Sequence, residues 1–311
     1  MNEFYHQPVL LKEAIDLLQC GAGKIFVDGT VGGGGHAEAI LERIGTDGHL
    51  IGIDFDEEAL NASKARLAKF GESVTLVRGN FAAIADILYH RGMEKIDGAI
   101  VDLGVSSHQL LSAERGFSFA HEAPLDMRMS RNEGGISAEL IVNTFTEARI
   151  KSILKEYGEE RMAGLIARAI CTRRSQAPIV TTVQLAEIVA RVVRSRTKGI
   201  HPATRTFQAL RIAVNQELEN IASFIPAIVP LLRRGSRLVV ISFHSLEDRI
   251  VKHAFASLAS SCDCPRGVPV CVCGKVPSLK IITKKPVIPG EQEIRNNHAS
   301  RSAKLRVAER I

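Results

Sequence analysis

Residues 28–37, with the sequence Asp-Gly-Thr-Val-Gly-Gly-Gly-Gly-His-Ala, form a glycine-rich segment between a short apolar run and a helical pattern. Glycine permits tight turns and lets a ligand approach the backbone, and the first turn of a helix offers N–H groups without partners. A second acidic residue, Asp54, ends the next apolar run. An acid at that position can hold a ribose, so the pattern predicts a site for an adenosyl cofactor.

The glycine-rich segment fits more than one cofactor. Residues 32–37 match the Gly-x-Gly-x-x-Ala dinucleotide fingerprint, so NAD is one alternative. Asp28, however, would repel a pyrophosphate and suits a ligand that carries ammonium and sulfonium groups. After the third apolar run, residues 79–81 (Gly-Asn-Phe) offer an amide and a ring that can frame an adenine. We therefore expect S-adenosyl-L-methionine, and a glycine turn without a ligand is the third alternative.

The elements around this segment alternate in type. The pattern predicts strands at residues 25–28, 49–54, 74–77 and 99–102, and helices at residues 36–44, 57–70 and 82–90. Nearly continuous apolar strands that alternate with helices indicate an α/β fold with a mostly parallel sheet, covered on both faces.

The pattern changes after residue 112. Between residues 112 and 221 it predicts no strand, but a helix that opens with a capping box at Thr181 and Gln184, and another over residues 204–221. A strand at 237–243, a helix at 245–258 and a strand at 304–308 complete the sheet pattern. We therefore predict a discontinuous sheet domain (1–112 and 213–311) that carries an all-helical insertion (113–212).

Charge is distributed unevenly along the chain, although the total is only +6. Residues 1–148 carry a net charge of −10 (12 basic, 22 acidic), whereas residues 149–211 carry +9 (13 basic, 4 acidic). The final segment, residues 275–311, carries +6 (9 basic, 3 acidic). The acidic front favours a small ligand, and the basic blocks favour a polyanionic partner, with charge that merely fluctuates among solvated helices as the alternative.

Five further segments resemble a known family. They are residues 102–107 (Asp-Leu-Gly-Val-Ser-Ser), 114–119 (Glu-Arg-Gly-Phe-Ser-Phe), 124–128 (Pro-Leu-Asp-Met-Arg), 201–209 (His-Pro-Ala-Thr-Arg-Thr-Phe-Gln-Ala) and 242–249 (Ser-Phe-His-Ser-Leu-Glu-Asp-Arg). Together with residues 28–36 and the terminal segments 6–11 and 301–306, they resemble the bacterial 16S ribosomal RNA cytosine-N4 methyltransferase family over nearly the whole chain.

The resemblance implies a class I S-adenosylmethionine-dependent methyltransferase with a Rossmann-like sheet, in which the helical insertion recognises the substrate. The implied reaction methylates the exocyclic N4 amine of a cytosine in the decoding centre of 16S rRNA, within the small ribosomal subunit, and tunes the ribosomal P site. The implied cofactor contacts are Gly34, Gly35, His36, Asp54, Phe81, Asp102 and Gln109. For His36 the main chain would reach the methionine moiety, and a solvent-facing imidazole is an equal alternative.

Methylation of an amine requires that the nitrogen be aligned with the methyl group and that an acceptor take an amine hydrogen. Amino-methyltransferases commonly place Asp/Asn-Pro-Pro-aromatic after the fourth strand, whereas this chain has Asp-Leu-Gly-Val at 102–105. We expect Asp102, or a main-chain carbonyl just after it, to accept the hydrogen. His244 follows the fifth strand and is either a second catalytic residue or the start of a capped helix with Asp248 as its partner.

Six basic residues are candidate contacts for RNA phosphates, with surface ion pairs as the alternative: Arg128, Arg194, Arg196, Lys198, Arg205 and Arg249. The chain has 5% aromatic residues and no Trp, so it lacks the stacking platforms of a general single-strand binder. We therefore expect recognition through charge and shape, which favours a folded ribosomal subunit over naked RNA.

Four of the six cysteines lie within twelve residues: Cys262, Cys264, Cys271 and Cys273. They could form a structural zinc site or remain reduced thiols in a surface loop, and the chosen chemistry requires no metal. The N-terminal residues lack the pattern of a signal peptide, and no apolar run is long enough for a membrane span. We therefore expect a cytoplasmic protein that does not contact a membrane.

Two other function classes remain open. One is a methyltransferase that acts on a protein or small molecule, and the other is an RNA-binding assembly factor that has kept the fold without the activity. The oligomeric state is also open, with a homodimer as one alternative.

Overall fold

The computed structural model describes residues 8–104, 113–130, 134–193, 201–265 and 272–311. The chain divides into two compact units: Met1–Gly104 with Leu218–Ile311, and Val105–Glu217. The first unit contains the sheet, and the second is built from helices. The recognition of substrate by the inserted segment stays a prediction.

A seven-stranded sheet forms the first unit. Its strands are β1 (Ile25–Asp28), β2 (His49–Asp54), β3 (Val74–Arg78), β4 (Ile96–Asp102), β5 (Leu232–Ser242), β6 (Leu279–Ile281) and β7 (Lys304–Arg310). Their order is β3-β2-β1-β4-β5-β7-β6, with β7 antiparallel to β5 and β6, and all other pairs parallel. The predicted Rossmann-like, mostly parallel α/β sheet is confirmed. The strand order reverses between β1 and β4, which is where open sheets of this kind bind their ligands.

The helices, numbered in chain order, are α1 (Leu11–Leu18), α2 (Gly35–Ile44), α3 (Glu57–Leu67), α4 (Ile84–Tyr89), α5 (Ala138–Thr144), α6 (Glu147–Gly158), α7 (Ala163–Arg174), α8 (Thr182–Val192), α9 (Thr204–Asn215), α10 (Glu217–Ile228), α11 (Ser245–Ala259) and α12 (Glu291–Asn296). Among the described residues, none of these helices has both the length and the apolar character that a membrane span requires.

Both faces of the sheet are buried because the strands alternate their side chains between two apolar clusters. One cluster contains Val27, Ile51, Val101 and Val240 with residues of α4 and α10. The other contains Phe26, Leu50, Ile100 and Val239 with residues of α1 and α2. This double burial explains why the strands read as continuous apolar runs in the sequence.

The helical unit has its own core. The apolar stripes of its helices meet in one cluster, which includes Ile150, Leu154, Ile166, Ile170, Leu185, Val189, Phe207 and Leu210. The predicted capping box is confirmed: the Thr181 hydroxyl accepts from the Gln184 N–H at 3.3 Å, and the Gln184 side chain accepts from the Thr181 N–H at 3.3 Å.

The prediction of one helix over residues 204–221 is wrong. Helix α9 ends at Asn215, Gln216 adopts the left-handed conformation (φ 51°), and α10 begins at Glu217. The apolar residues keep a helical spacing through the break, so periodicity gives no sign of it. Strand β5 also begins at Leu232, earlier than predicted. The sequence pattern missed this start because residues 233–235 are exposed and interrupt the apolar run.

Candidate functional site

Three aspartates lie at one edge of the sheet. Asp28 ends β1, Asp54 ends β2 and Asp102 ends β4. Strand β1 pairs with both other strands, and Asp28 is in register with Gly52 and Ile100. Because all three strands are parallel, their carboxyl ends bring these side chains to the switch point of the sheet.

Two carboxylate oxygens in this group are buried without a hydrogen-bond partner among the described residues: Asp28 Oδ2 and Asp102 Oδ1. Asp28 is only 2% exposed, and its other oxygen accepts from the Thr30 N–H at 3.1 Å. Buried carboxylate oxygens are costly unless a partner compensates for the lost hydration. The pair therefore fits a cationic ligand.

The pKa values of both carboxyl groups are shifted in the direction that burial dictates. Burial raises the pKa of Asp28 to about 7, with a smaller contribution from the charge of Asp54. Burial also raises the pKa of Asp102 well above its usual range, and the charges of Asp28 and Glu247 add to the shift. A bound cation acts in the opposite direction and favours the ionised form of both groups.

Thr30 fixes the position of the two aspartates, a role that sequence reasoning missed. Its hydroxyl accepts from the Asp102 N–H at 2.6 Å, while its own N–H donates to Asp28. One residue thus connects the ends of β1 and β4. The signal available in the sequence was a hydroxyl two residues after the strand-ending acid.

Gly29 is required by the close packing behind the aspartates. A Cβ atom at this position would lie 2.6 Å from Val101 Cγ1 and 3.3 Å from Phe81 Cβ. The Gly29 N–H donates to the Ile100 carbonyl at 2.9 Å, which holds the chain against β4. Any side chain here would displace the segment from the sheet.

Asp54 holds the glycine-rich segment. Its Oδ2 accepts from the Gly32 N–H at 2.8 Å, and its Oδ1 accepts from the Asp56 N–H at 2.9 Å. The Ser63 hydroxyl donates to the Gly32 carbonyl at 2.5 Å. Burial raises the pKa of Asp54 to about 6. The contact of Asp54 with a ribose stays a prediction.

Helix α2 begins where the segment ends. Gly34 takes a positive φ of 79° just before the helix, and a Cβ on Gly35 would lie 2.9 Å from Pro8 Cγ. His36 is buried, and its Nε2 lies 3.0 Å from the Val9 carbonyl oxygen. The alternative of a solvent-facing imidazole is therefore wrong. His36 Nδ1 lies 3.9 Å from Asp102 Oδ2, within ion-pair range.

The predicted adenine frame after β3 has structural contacts. The Asn80 side-chain amide donates to Asn220 Oδ1 at 2.9 Å, and Asn80 Oδ1 accepts from the Ala82 N–H. Phe81 is half-buried and packs edge-to-face on Phe224 of α10, with 5.2 Å between ring centroids. Phe81 thus stands on a rigid support, and its contact with a cofactor stays a prediction.

His244 is the N-cap of α11. Its Nδ1 accepts from the Glu247 N–H at 3.5 Å, and Glu247 Oε2 accepts from the Phe243 and His244 N–H groups at 2.8 and 3.4 Å. The prediction of Asp248 as the capping partner is wrong, because its carboxylate instead pairs with Arg306 at 2.6 Å.

The His244 cap lies at the same sheet edge as Asp102. Asp102 is in register with Ile241, and the Leu103 N–H donates to the Ile241 carbonyl at 2.9 Å. Gly104 has a φ of 100°, and a Cβ there would lie 3.4 Å from Phe243 Cδ2. The chain that leaves β4 therefore passes close to the residue that precedes His244.

The candidate RNA contacts differ in their surroundings. Arg128 forms a two-bond ion pair with Asp126, at 2.6 and 3.1 Å. Arg205 is exposed and donates to the Glu159 carbonyl at 3.3 Å, and Arg249 is exposed. Three of the candidate RNA contacts, Arg194, Arg196 and Lys198, and the predicted cofactor contact Gln109 lie outside the described part of the chain.

The cysteine group is partly described. Cys262, Cys264 and Cys273 come together in the loop between α11 and β6, whereas Cys271 lies outside the described residues. This group is separate from the aspartate site.

Comparison with known proteins gives matches over the full length. A family model described as the MraW methylase family matches residues 3–311. A protein of Syntrophus aciditrophicus (strain SB), named ribosomal RNA small subunit methyltransferase H, is 54% identical over 99% of this chain and 98% of its own length. A protein of the same name from Geotalea uraniireducens (strain Rf4) is 52% identical over 100% of both chains.

Among solved structures, an rRNA methylase from Streptococcus thermophilus aligns with 97% of this chain and 93% of its own. Its TM-score is 0.42 and its sequence identity 12%.

Proposed function

The chain belongs to the MraW methylase family, and we propose that it methylates the exocyclic N4 amine of a cytosine in the decoding centre of 16S rRNA, within the small ribosomal subunit. The names of the full-length relatives support small-subunit rRNA as the substrate. The segments at 102–107, 201–209 and 242–249, which resemble cytosine-N4 methyltransferases, support the base and the atom.

The observation that carries the proposed reaction is the pair of buried oxygens, Asp28 Oδ2 and Asp102 Oδ1, which have no hydrogen-bond partner among the described residues. The cofactor is S-adenosyl-L-methionine, and the donor set fits it. When bound, this cofactor supplies a methyl group on a positively charged sulfur. A pyrophosphate-bearing cofactor would place anionic oxygens against the same carboxylates and would be repelled.

Several residues would hold the cofactor. Asp28 offers a buried carboxyl oxygen that has no partner among the described residues, Asp54 keeps the glycine-rich segment in place, and Phe81 offers an apolar surface. The N–H groups of Gly34, Gly35 and His36 lie in the segment that opens α2, where backbone donors lack helical partners. Gln109 completes the proposed set.

Asp102 is proposed to accept the hydrogen of the substrate amine. Thr30 fixes its backbone, and Asp102 Oδ1 is buried at the sheet edge without a partner among the described residues. A bound cation favours the ionised form of Asp102, and an ionised carboxylate whose pKa is raised by burial is a stronger proton acceptor than an exposed one. For His244 the contacts support a positioning role, because the imidazole caps α11 beside that edge.

The substrate assignment is tested by methyl transfer from labelled S-adenosylmethionine to purified small subunits from cells that lack this protein. We expect one N4-methylcytosine per subunit by mass spectrometry of the rRNA, and no transfer to free cytidine or to ribosomal protein. Labelling of protein alone, or an unchanged methylcytosine content in the cells without the protein, would contradict the proposal. An absence of S-adenosylmethionine binding in calorimetry would leave only a scaffold role.

Asp102→Asn tests the role of this carboxylate. The amide is similar in shape but a much weaker base, so we expect kcat to fall by about 10²–10⁴-fold with a smaller change in cofactor affinity. Asp86→Asn, at an exposed position on α4, is the control and should keep the wild-type kcat. An unchanged kcat in Asp102→Asn would assign the acceptor to a main-chain carbonyl instead.

A further inference from the structure

The loop between α11 and β6 brings three cysteines together at a place the methyl-transfer site does not use. The sulfur atoms of Cys262, Cys264 and Cys273 all lie within 4.8 Å of one another. A tetrahedral zinc ion with Zn–S bonds of about 2.3 Å would hold its sulfurs about 3.8 Å apart. The three sulfurs are therefore within about 1 Å of that separation without any change of fold.

The backbone around these sulfurs donates hydrogen bonds to them. The Cys264 N–H donates to Cys262 Sγ at 3.3 Å, and the Asp263 N–H donates to Cys273 Sγ at 3.4 Å. A neutral thiol is a weak acceptor, whereas a metal-bound thiolate carries charge that such donors stabilise. The two bonds thus orient the sulfurs as ligands and connect the two arms of the loop.

The base of the loop is fixed to the sheet domain. The Ser278 N–H donates to the Leu258 carbonyl at 2.8 Å, and Lys275 pairs with Asp263 at 2.6 Å. Leu279, the first residue of β6, is buried in the main apolar cluster. Because the loop is held at its base, bringing ligands from its two arms together costs less conformational entropy.

From these contacts we propose a structural zinc site in which Cys262, Cys264 and Cys273 bind the ion as thiolates. Cys271 lies outside the described residues, and the proposal rests on the other three. The loop joins β6 at Leu279, which pairs with Arg310, and the neighbouring Glu309 pairs with Arg237 near the amino end of the parallel part of β5. This is the edge opposite Asp102, so the ion has a structural role and takes no part in methyl transfer.

The test is the zinc content of the full chain, purified without a metal-affinity tag in reducing buffer that contains no chelator. We expect about one zinc per chain by mass spectrometry, and at least about tenfold less in the double variant Cys262→Ser/Cys273→Ser. The control is Cys20→Ser/Cys171→Ser, which changes two cysteines far from the loop in sequence and should keep its zinc. Wild-type protein without zinc, or equal loss in the control, overturns the proposal.

Further measurements cover a variant that folds poorly. Cobalt in place of zinc should give sulfur-to-cobalt charge-transfer absorption in the wild-type chain, and its absence would overturn thiolate binding. Removal of zinc by a chelator should speed trypsin cleavage after Lys275, which pairs with Asp263 in the loop, and added zinc should reverse the effect. A disulfide between two of the three cysteines in the reduced preparation would also contradict the site. Cofactor affinity should be the same with and without zinc.

Discussion

Asp28 and Asp102 show how a single backbone position sets the chemistry of a side chain. Each aspartate is the last residue of a buried parallel strand, so each leaves water without gaining a full set of hydrogen bonds. Burial raises the pKa of both carboxyl groups, and Thr30 holds them side by side. Burial therefore opposes ionisation of both carboxyl groups, and a bound cation would favour it.

This property predicts that cofactor affinity depends on pH. A proton must leave Asp28 before its charge can meet the cation, so the affinity for S-adenosylmethionine should rise with pH up to about 7, by at most about tenfold per pH unit. Calorimetry in buffers of different ionisation enthalpy should show protons released on binding. Asp28→Asn should bind more weakly and lose this part of the pH dependence.

The control for this experiment is Asp47→Asn, an exposed aspartate in the turn before β2, which should behave like the wild type. A parallel pH dependence in Asp28→Asn and the wild type would contradict the role of this carboxyl group. The same shift affects stability: the raised pKa favours the protonated, folded form, so the cofactor-free protein should lose stability as pH rises from about 4 to about 7.

Among the secondary-structure elements, α11 shows how a helix end can position a site. Its capping box uses His244 and Glu247, and Glu247 is almost fully buried. The cap fixes residues 243 and 244 at the carboxyl end of β5, beside the chain that leaves β4. A residue at this position can influence the reaction through geometry alone.

Two substitutions at His244 separate capping from chemistry. His244→Ala removes the cap and should lower the free energy of unfolding by about 1 kcal/mol, whereas His244→Asn keeps a capping oxygen and should stay close to the wild type. We expect kcat to follow the stability series, with His244→Asn retaining most of the activity. Denaturant unfolding and single-turnover kinetics measure both. A stable His244→Asn variant with a large loss of kcat would place the imidazole in the chemistry.

At the scale of the whole molecule, the net charge of +6 is the sum of an acidic segment and basic segments that lie in different parts of the chain. The acidic segment 1–148 includes the three aspartates of the proposed cofactor site, and the basic segment 149–211 falls in the helical unit. We infer that the basic block meets rRNA phosphates, because release of counterions from RNA favours binding to clustered Lys and Arg.

Neutralising Arg194, Arg196 and Lys198 together tests this inference. We expect weaker binding to small subunits and a shallower dependence of the affinity on salt, by about 0.7–0.9 for each phosphate that is no longer neutralised. The matched control neutralises three exposed cations of the acidic front: Lys24, Lys64 and Arg91. Binding titrations between about 50 and about 300 mM salt give both slopes. Equal slopes for the two variants would remove the basic segment from the RNA interface.

The sequence was sufficient for six of the seven strands and for the three strand-ending aspartates, whereas β6 and the strand order came only from the structure. These follow from local patterns: an apolar run buried on both faces, an acid at its end and glycines before a helix. It also identified the family, because several long motifs can be read directly from the sequence and are too long to occur together by chance.

The sequence did not predict contacts between segments that are distant along the chain. Thr30 meets Asp102 across 72 positions, and the buried ring of His36 meets Val9 across 27, so neither leaves a periodic trace. The same holds for the break at Gln216 and for the choice of Glu247 as the capping partner, since Asp248 pairs with the distant Arg306. Local propensity determines which elements form, whereas long-range packing determines which polar atoms pair. Packing leaves Asp28 Oδ2 and Asp102 Oδ1 buried without a hydrogen-bond partner among the described residues.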